Sequence, residues 1–153
     1  MNLRIIIDDK YKNALKAKNT KEINTLRLIK SAIKDKDIAF RSIENNEPIG
    51  EAAILSLLQS LVKQRKDSID SFKLASRDDL ISIEQDEIEI ISQFLPKQLN
   101  KIETEELVFK IIKEHNIKSL KDMGLLMGEL KKNYAGTIDM ALAGKIAKLK
   151  LTQ

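Results

Sequence analysis

Leu95-Pro96-Lys97-Gln98-Leu99 is the stretch on which the fold turns. Proline has no backbone N–H, and its ring disfavours helical backbone in the residue before it, so a helix running up to Leu95 stops there. The charge balance changes at the same place. Residues 1–95 carry 16 Lys/Arg and 16 Asp/Glu, whereas residues 96–153 carry 11 and 7, so the whole net charge of +4 lies beyond the break. Two helical domains are the expectation, 1–95 and 96–153.

On the N-terminal side the elements are long. Leu3, Ile7, Tyr11, Ala14 and Leu15 recur at helical spacing and predict a helix over 3–18. Asn19, with Glu22 three residues later, reads as a capping box for a second helix over 21–43, lined by Ile23, Leu26, Ile29, Ile33 and Phe40. Asn45-Asn46-Glu47-Pro48-Ile49-Gly50 is a turn, because Asn, Pro and Gly favour that backbone. A third helix over 51–75 carries an apolar stripe from Ile54 to Phe72. Ser76 then reads as the cap of a fourth, acidic helix, in which residues 77–95 hold six Asp/Glu against one Arg.

Beyond Pro96 the helices are shorter, over 104–115, from 119 or 121 to 133, and over 139–150. They predict a three-helix tail after an N-terminal domain of about four helices, all-α throughout. Only five Gly and two Pro punctuate the 153 residues, too few turn residues for a β-sandwich of this size. The chain has no Cys, which excludes disulfides and thiolate chemistry, and no apolar run approaches the ~18 residues needed to span a bilayer. Met1–Asp9 is too short and too acidic for a signal peptide, so the expected compartment is the reducing cytoplasm, or an equivalent one if a targeting segment was removed, with no membrane partner.

The chemistry-bearing patterns are few. No Gly-x-x-x-x-Gly-Lys-Ser/Thr loop indicates a nucleotide site, and no cofactor is implied. His115 is the one histidine; it sits at a helix end, where the last carbonyls favour it, and lacks the partners of a catalytic triad. Asp86, Glu87 and Glu89 lie mid-helix rather than on the turned backbone of a cation loop, so no metal site is expected. No catalytic centre is expected either.

Three features suit binding instead. Lys63-Gln64-Arg65-Lys66-Asp67-Ser68 is the densest basic run; Arg65 and Lys66 either pair with carboxylates of neighbouring turns and helices or contact phosphate. Asp122-Met123-Gly124-Leu125-Leu126-Met127-Gly128 places two glycines on one helix face, flanked by Met123 and Met127. Glycines there destabilise a helix by about 1 kcal/mol each relative to Ala, which close approach of another helix or of a ligand would offset. Finally, Lys121, Lys131, Lys132, Lys145 and Lys148 cluster in the tail as candidate phosphate contacts, with Lys145 and Lys148 one turn apart.

These segments together carry a resemblance. Leu26-Arg27, Lys63-Gln64-Arg65-Lys66-Asp67-Ser68-Ile69, Phe94-Leu95-Pro96-Lys97-Gln98-Leu99 and Asp122-Met123-Gly124 with Met127-Gly128 stand in the order and separation of the YqeY family, over essentially the whole chain. That family is similar to the C-terminal tail of the GatB subunit of the tRNA-dependent amidotransferase. The resemblance implies a helical N-terminal part, a three-helix tail and contact with the body of a tRNA. A departure is Met140, which follows Asp139 where the family often has Gly.

The leading expectation is therefore a non-catalytic module associated with tRNA or another RNA. A second is an adaptor for amidotransferase or aminoacyl-tRNA synthetase subunits, using the acidic fourth helix and the apolar stripes. Amidotransferase-type carbon–nitrogen ligase activity, with glutamine as amido donor, is a third reading that rests on the family label alone.

Overall fold

The computed structural model describes residues 2–42 and 44–152, and every described element is helical. The elements are α1 (Leu3–Ala17), α2 (Thr20–Phe40), α3 (Glu51–Leu74), α4 (Asp78–Ser92), α5 (Lys101–Glu114), α6 (Met123–Asn133) and α7 (Met140–Leu151). A short 3-10 turn, Leu120–Asp122, precedes α6. The chain divides into two compact units, Met1–Leu95 and Pro96–Gln153.

In the first unit α1 packs on α2, α3 on α4, and α2 reaches α4. Ile7, Leu26, Ile29, Ile54, Leu58 and Ile91 are almost wholly removed from water and form its centre. Leu26 and Ile29 are three apart on α2 and Ile54 and Leu58 four apart on α3, so each of these two helices buries one stripe.

Three helices end with a residue in left-handed backbone, and none of these is glycine: Lys18 (φ 55°), Ser76 (φ 55°) and Asn116 (φ 51°). At each, two N–H groups fold back onto the last turn. After α3, Ser76 N–H donates to the Lys73 carbonyl and Arg77 N–H to that of Phe72, at 3.2 and 2.9 Å. This satisfies carbonyls that the helix end leaves unpaired. Ser76 is thus the end of α3 and not the cap of α4. Arg77 occupies the cap position, makes no side-chain cap bond, and pairs with Asp79 instead.

The expected box at Asn19 is half made. Its carboxamide oxygen accepts from Glu22 N–H at 3.2 Å, but its own N–H is taken by the Ala14 carbonyl at the end of α1. The complete box forms at Asn100 and Glu103, each side chain accepting the other's backbone N–H. It starts α5 three residues ahead of the expected Thr104. Asp139 caps α7 through bonds from Ala141 and Leu142 N–H, so the turn closes with Met140 in the place of glycine.

α2 ends at Phe40, and Ile43 lies outside the described residues. Phe40 is 52% exposed, a correction to its place on the apolar stripe. The segment after it is pinned by Arg4. The Arg4 guanidinium forks onto both carboxylate oxygens of Asp37 at 2.9 and 2.7 Å and also donates to the Ile49 carbonyl. Asp37 accepts the Ile49 N–H in return, and the guanidinium holds its carboxyl below the usual carboxylate range.

In the second unit α7 packs on both α5 and α6 around Val108, Leu126, Leu130, Ile138, Ala143 and Ala147. Leu99 N–H donates to the Thr137 carbonyl, tying the segment after Pro96 to the turn before α7. Gly136 in that turn has φ 78°, a backbone that side chains rarely adopt.

Candidate nucleic-acid interface

The charge of the second unit is unevenly placed along its chain. Residues 96–117 hold four Lys and four Glu, in balance. Residues 118–153 hold seven Lys against Asp122, Glu129 and Asp139, so the entire excess of +4 belongs to the 3-10 turn, α6, α7 and their flanks. α7 alone has Lys145, Lys148 and Lys150 and no carboxylate.

All seven lysines, Lys118, Lys121, Lys131, Lys132, Lys145, Lys148 and Lys150, are exposed. The three carboxylates of this stretch each accept a hydrogen bond from a group other than a lysine ammonium. Asp139 caps α7, Asp122 accepts from Lys118 N–H at 3.5 Å, and Glu129 accepts from the Asn133 carboxamide at 3.0 Å. Among the described residues none of the seven lysines forms an ion pair. Lys145 and Lys148 stand on the side of α7 away from buried Ala143, Ile146 and Ala147. Lys131 and Lys132 occupy the last turn of α6, and Lys121 lies in the 3-10 turn that leads into it.

Arg65 and Lys66 belong to the other unit. Arg65 is 8% exposed. Its Nε donates to Glu87 of α4 at 2.7 Å and a terminal nitrogen donates to the Leu61 carbonyl at 2.9 Å. It fastens α3 to α4. Lys66, one residue on, is exposed.

The two glycines of α6 are not explained by packing. A Cβ added at Gly124 or Gly128 would meet nothing within 4 Å, so no neighbouring helix requires either position to be small. Gly144 does face a neighbour, the Met127 methyl at 3.7 Å, while Met123 and Met127 pack partly buried on the tail core. Gly128 lies in the interior of α6, where Ala is the better helix former. Gly128→Ala should therefore stabilise the tail unit by about 1 kcal/mol, read as a higher urea midpoint at unchanged slope. A loss of stability would restore close packing at this position.

His115 is exposed at the end of α5, as its position in the sequence implied. Among the described residues no group of three or more His, Cys, Asp or Glu side chains is placed to hold a metal ion. Asp86 pairs with Lys21 and Glu87 with Arg65. Lys118 escaped the list of candidate lysines, although the count of charges from residue 118 onward contains it.

Residues 5–151 match the family described as Yqey-like protein. The chain belongs to that family. Among curated relatives of this YqeY-like chain are proteins named "Altered inheritance of mitochondria protein 41, mitochondrial". The Saccharomyces cerevisiae protein is 36% identical over 84 residues, covering 55% of this chain and 43% of the relative. The Lachancea thermotolerans and Eremothecium gossypii proteins are 38% and 34% identical over the same length, covering 55% of this chain and 43% and 44% of theirs. The chain thus spans less than half the length of these relatives.

Their names overturn the cytoplasmic assignment. Absence of cysteine argues for a reducing environment but does not separate one reducing compartment from another, which is why composition misled here. Among the described residues no helix is long and apolar enough to cross a membrane.

Proposed function

We propose that this YqeY-like protein is an RNA-associated helical module whose tail unit, through the lysines of α6 and α7, contacts the phosphate backbone of a folded RNA such as tRNA. The observation that supports this reading is the confinement of all excess positive charge to residues 118–153, on exposed lysines, while the three carboxylates of that stretch accept from other groups. Backbone contact is favoured over base reading by the state of the tail's rings. The tail has two Phe or Tyr rings: Phe109 is partly exposed with Lys150 Nζ 5.2 Å from its centre, and Tyr134 packs against the core, which is little surface for stacking single-stranded bases.

The test is a tRNA titration at two salt concentrations, for the wild type and for a variant with Lys131, Lys132, Lys145 and Lys148 changed to Ala. Each lysine–phosphate contact releases condensed counterions, and losing one should flatten the log–log salt slope by about 0.9. The variant should bind more weakly with a shallower slope while its helix signal is unchanged. Folded tRNA should bind better than an unstructured strand of equal length. Equal binding by wild type and variant, or no binding by either at low salt, would sink this reading. The docking of an amidotransferase or synthetase subunit would then become the reading to pursue.

A further inference from the structure

The Leu26-Arg27 step leads to a second surface, in the unit that the RNA reading does not use. Leu26 is fully buried in the first core, whereas Arg27 turns outward into a groove between α1 and α2. The groove encloses about 740 Å³, inside the range of small-ligand sites. Five cationic side chains line it, Arg4, Lys12, Arg27, Lys30 and Lys34, against Asp8, Asp9 and Asp37.

Two of those carboxylates are saturated within the protein. Asp37 holds Arg4, and Asp8 holds both Lys30 at 2.7 Å and Lys12 at 3.0 Å. Lys30 also lies over the Tyr11 ring, 4.5 Å from its centre. What remains is Arg27, Lys34 and Asp9, all three exposed. The Arg27 guanidinium donates to the Tyr11 hydroxyl at a long 3.4 Å, and Lys34 forms no ion pair among the described residues.

We propose that the α1–α2 groove binds a small phosphate-bearing ligand, held by Arg27, Lys34 and the Tyr11 hydroxyl. A guanidinium offers a planar fork of donors that fits two phosphate oxygens at once, and Lys34 supplies a second, adaptable positive charge. Tyr11, accepting from Arg27, keeps its own proton to donate to a third oxygen. Asp9 biases the anion towards the α2 side of the groove. Lys30 and Lys12 are committed to Asp8 and contribute field rather than contact.

The experiment is a calorimetric and NMR titration of inorganic pyrophosphate into the full-length chain at constant ionic strength. Saturable binding at one site is expected, with shifts at Tyr11, Arg27 and Lys34. An Arg27→Gln, Lys34→Gln double variant should lose affinity by about tenfold or more, the size of a lost charge-assisted hydrogen bond. Arg27→Lys, which keeps the charge and loses the fork, should fall between. All the altered side chains are exposed, and unchanged circular dichroism would show that the variants fold. Titration without saturation, or equal affinity in the double variant, overturns the proposal. So does a double variant that loses tRNA binding when pyrophosphate never saturates, because the groove would then belong to a nucleic-acid surface.

Discussion

Leu126→Ala should unfold the 96–153 unit while the helices of the first unit stay formed. Leu126 is 0% exposed at the centre of the tail, on the buried side of α6 with Leu130. Truncating such a leucine removes its transfer free energy and leaves a cavity, together about 3 kcal/mol. A three-helix unit of this size draws only about 3–5 kcal/mol from its core, so the loss is comparable with its whole stability. At 25 °C the variant should lack the helical signal of α5, α6 and α7, and amide exchange there should be fast. Protection should persist around Leu26, Ile54 and Leu58. Leu58→Ala, at an equally buried site of the first unit, should leave the tail protected. Loss of all protection together in Leu126→Ala would show that the two units fold as one cooperative body.

Arg65 should prove to be the most sensitive charged residue in the first unit. Its guanidinium is tied in two directions, to Glu87 on α4 and to the Leu61 carbonyl on its own helix. Arg65→Ala removes both bonds and the packed stem and leaves Glu87 without its partner. A fully buried pair broken in this way costs about 3–5 kcal/mol. The Glu87 side chain keeps 29% of its exposure, so the lower end, about 2–3 kcal/mol, is the expectation here. Arg65→Lys should recover little, because one ammonium cannot reproduce a planar fork aimed at two acceptors. Arg65→Met with Glu87→Leu should come back close to wild type, since an apolar pair of similar volume leaves no charge stranded. Urea unfolding of the three variants decides it. A cost below about 0.5 kcal/mol for Arg65→Ala would place this pair among ordinary surface contacts.

The same residue shows where local reading stops. In the sequence Arg65 and Lys66 are one basic run and share a candidate role. On a helix they point about a quarter-turn apart, and only the position of α4 makes one of them buried and the other free. The helix-by-helix layout was legible, because apolar residues at three- and four-residue spacing need no partner to be recognised and Pro96 acts on its own neighbour. Asn19 was legible as a cap for the same local reason. Ser76 was not. Serine suits the start of a helix, but here the return of the chain out of α3 sets its backbone, and a left-handed end took precedence over a cap.

By itself, then, the sequence determined the helical class, most helix boundaries to within a few residues, and the gathering of excess charge in the last third, since these follow from spacing, turn chemistry and composition. The tertiary structure decided what depends on a second element. It left Gly124 and Gly128 facing open space, put Phe40 in water, and gave the carboxylates among the tail lysines donors other than an ammonium group. It also set Tyr11 of α1 against Arg27 of α2, a contact between residues 16 apart in the chain. The reason is physical: side-chain periodicity specifies which face a helix must bury, but burial is non-directional, and only packing selects which neighbour covers that face and which charges remain outside.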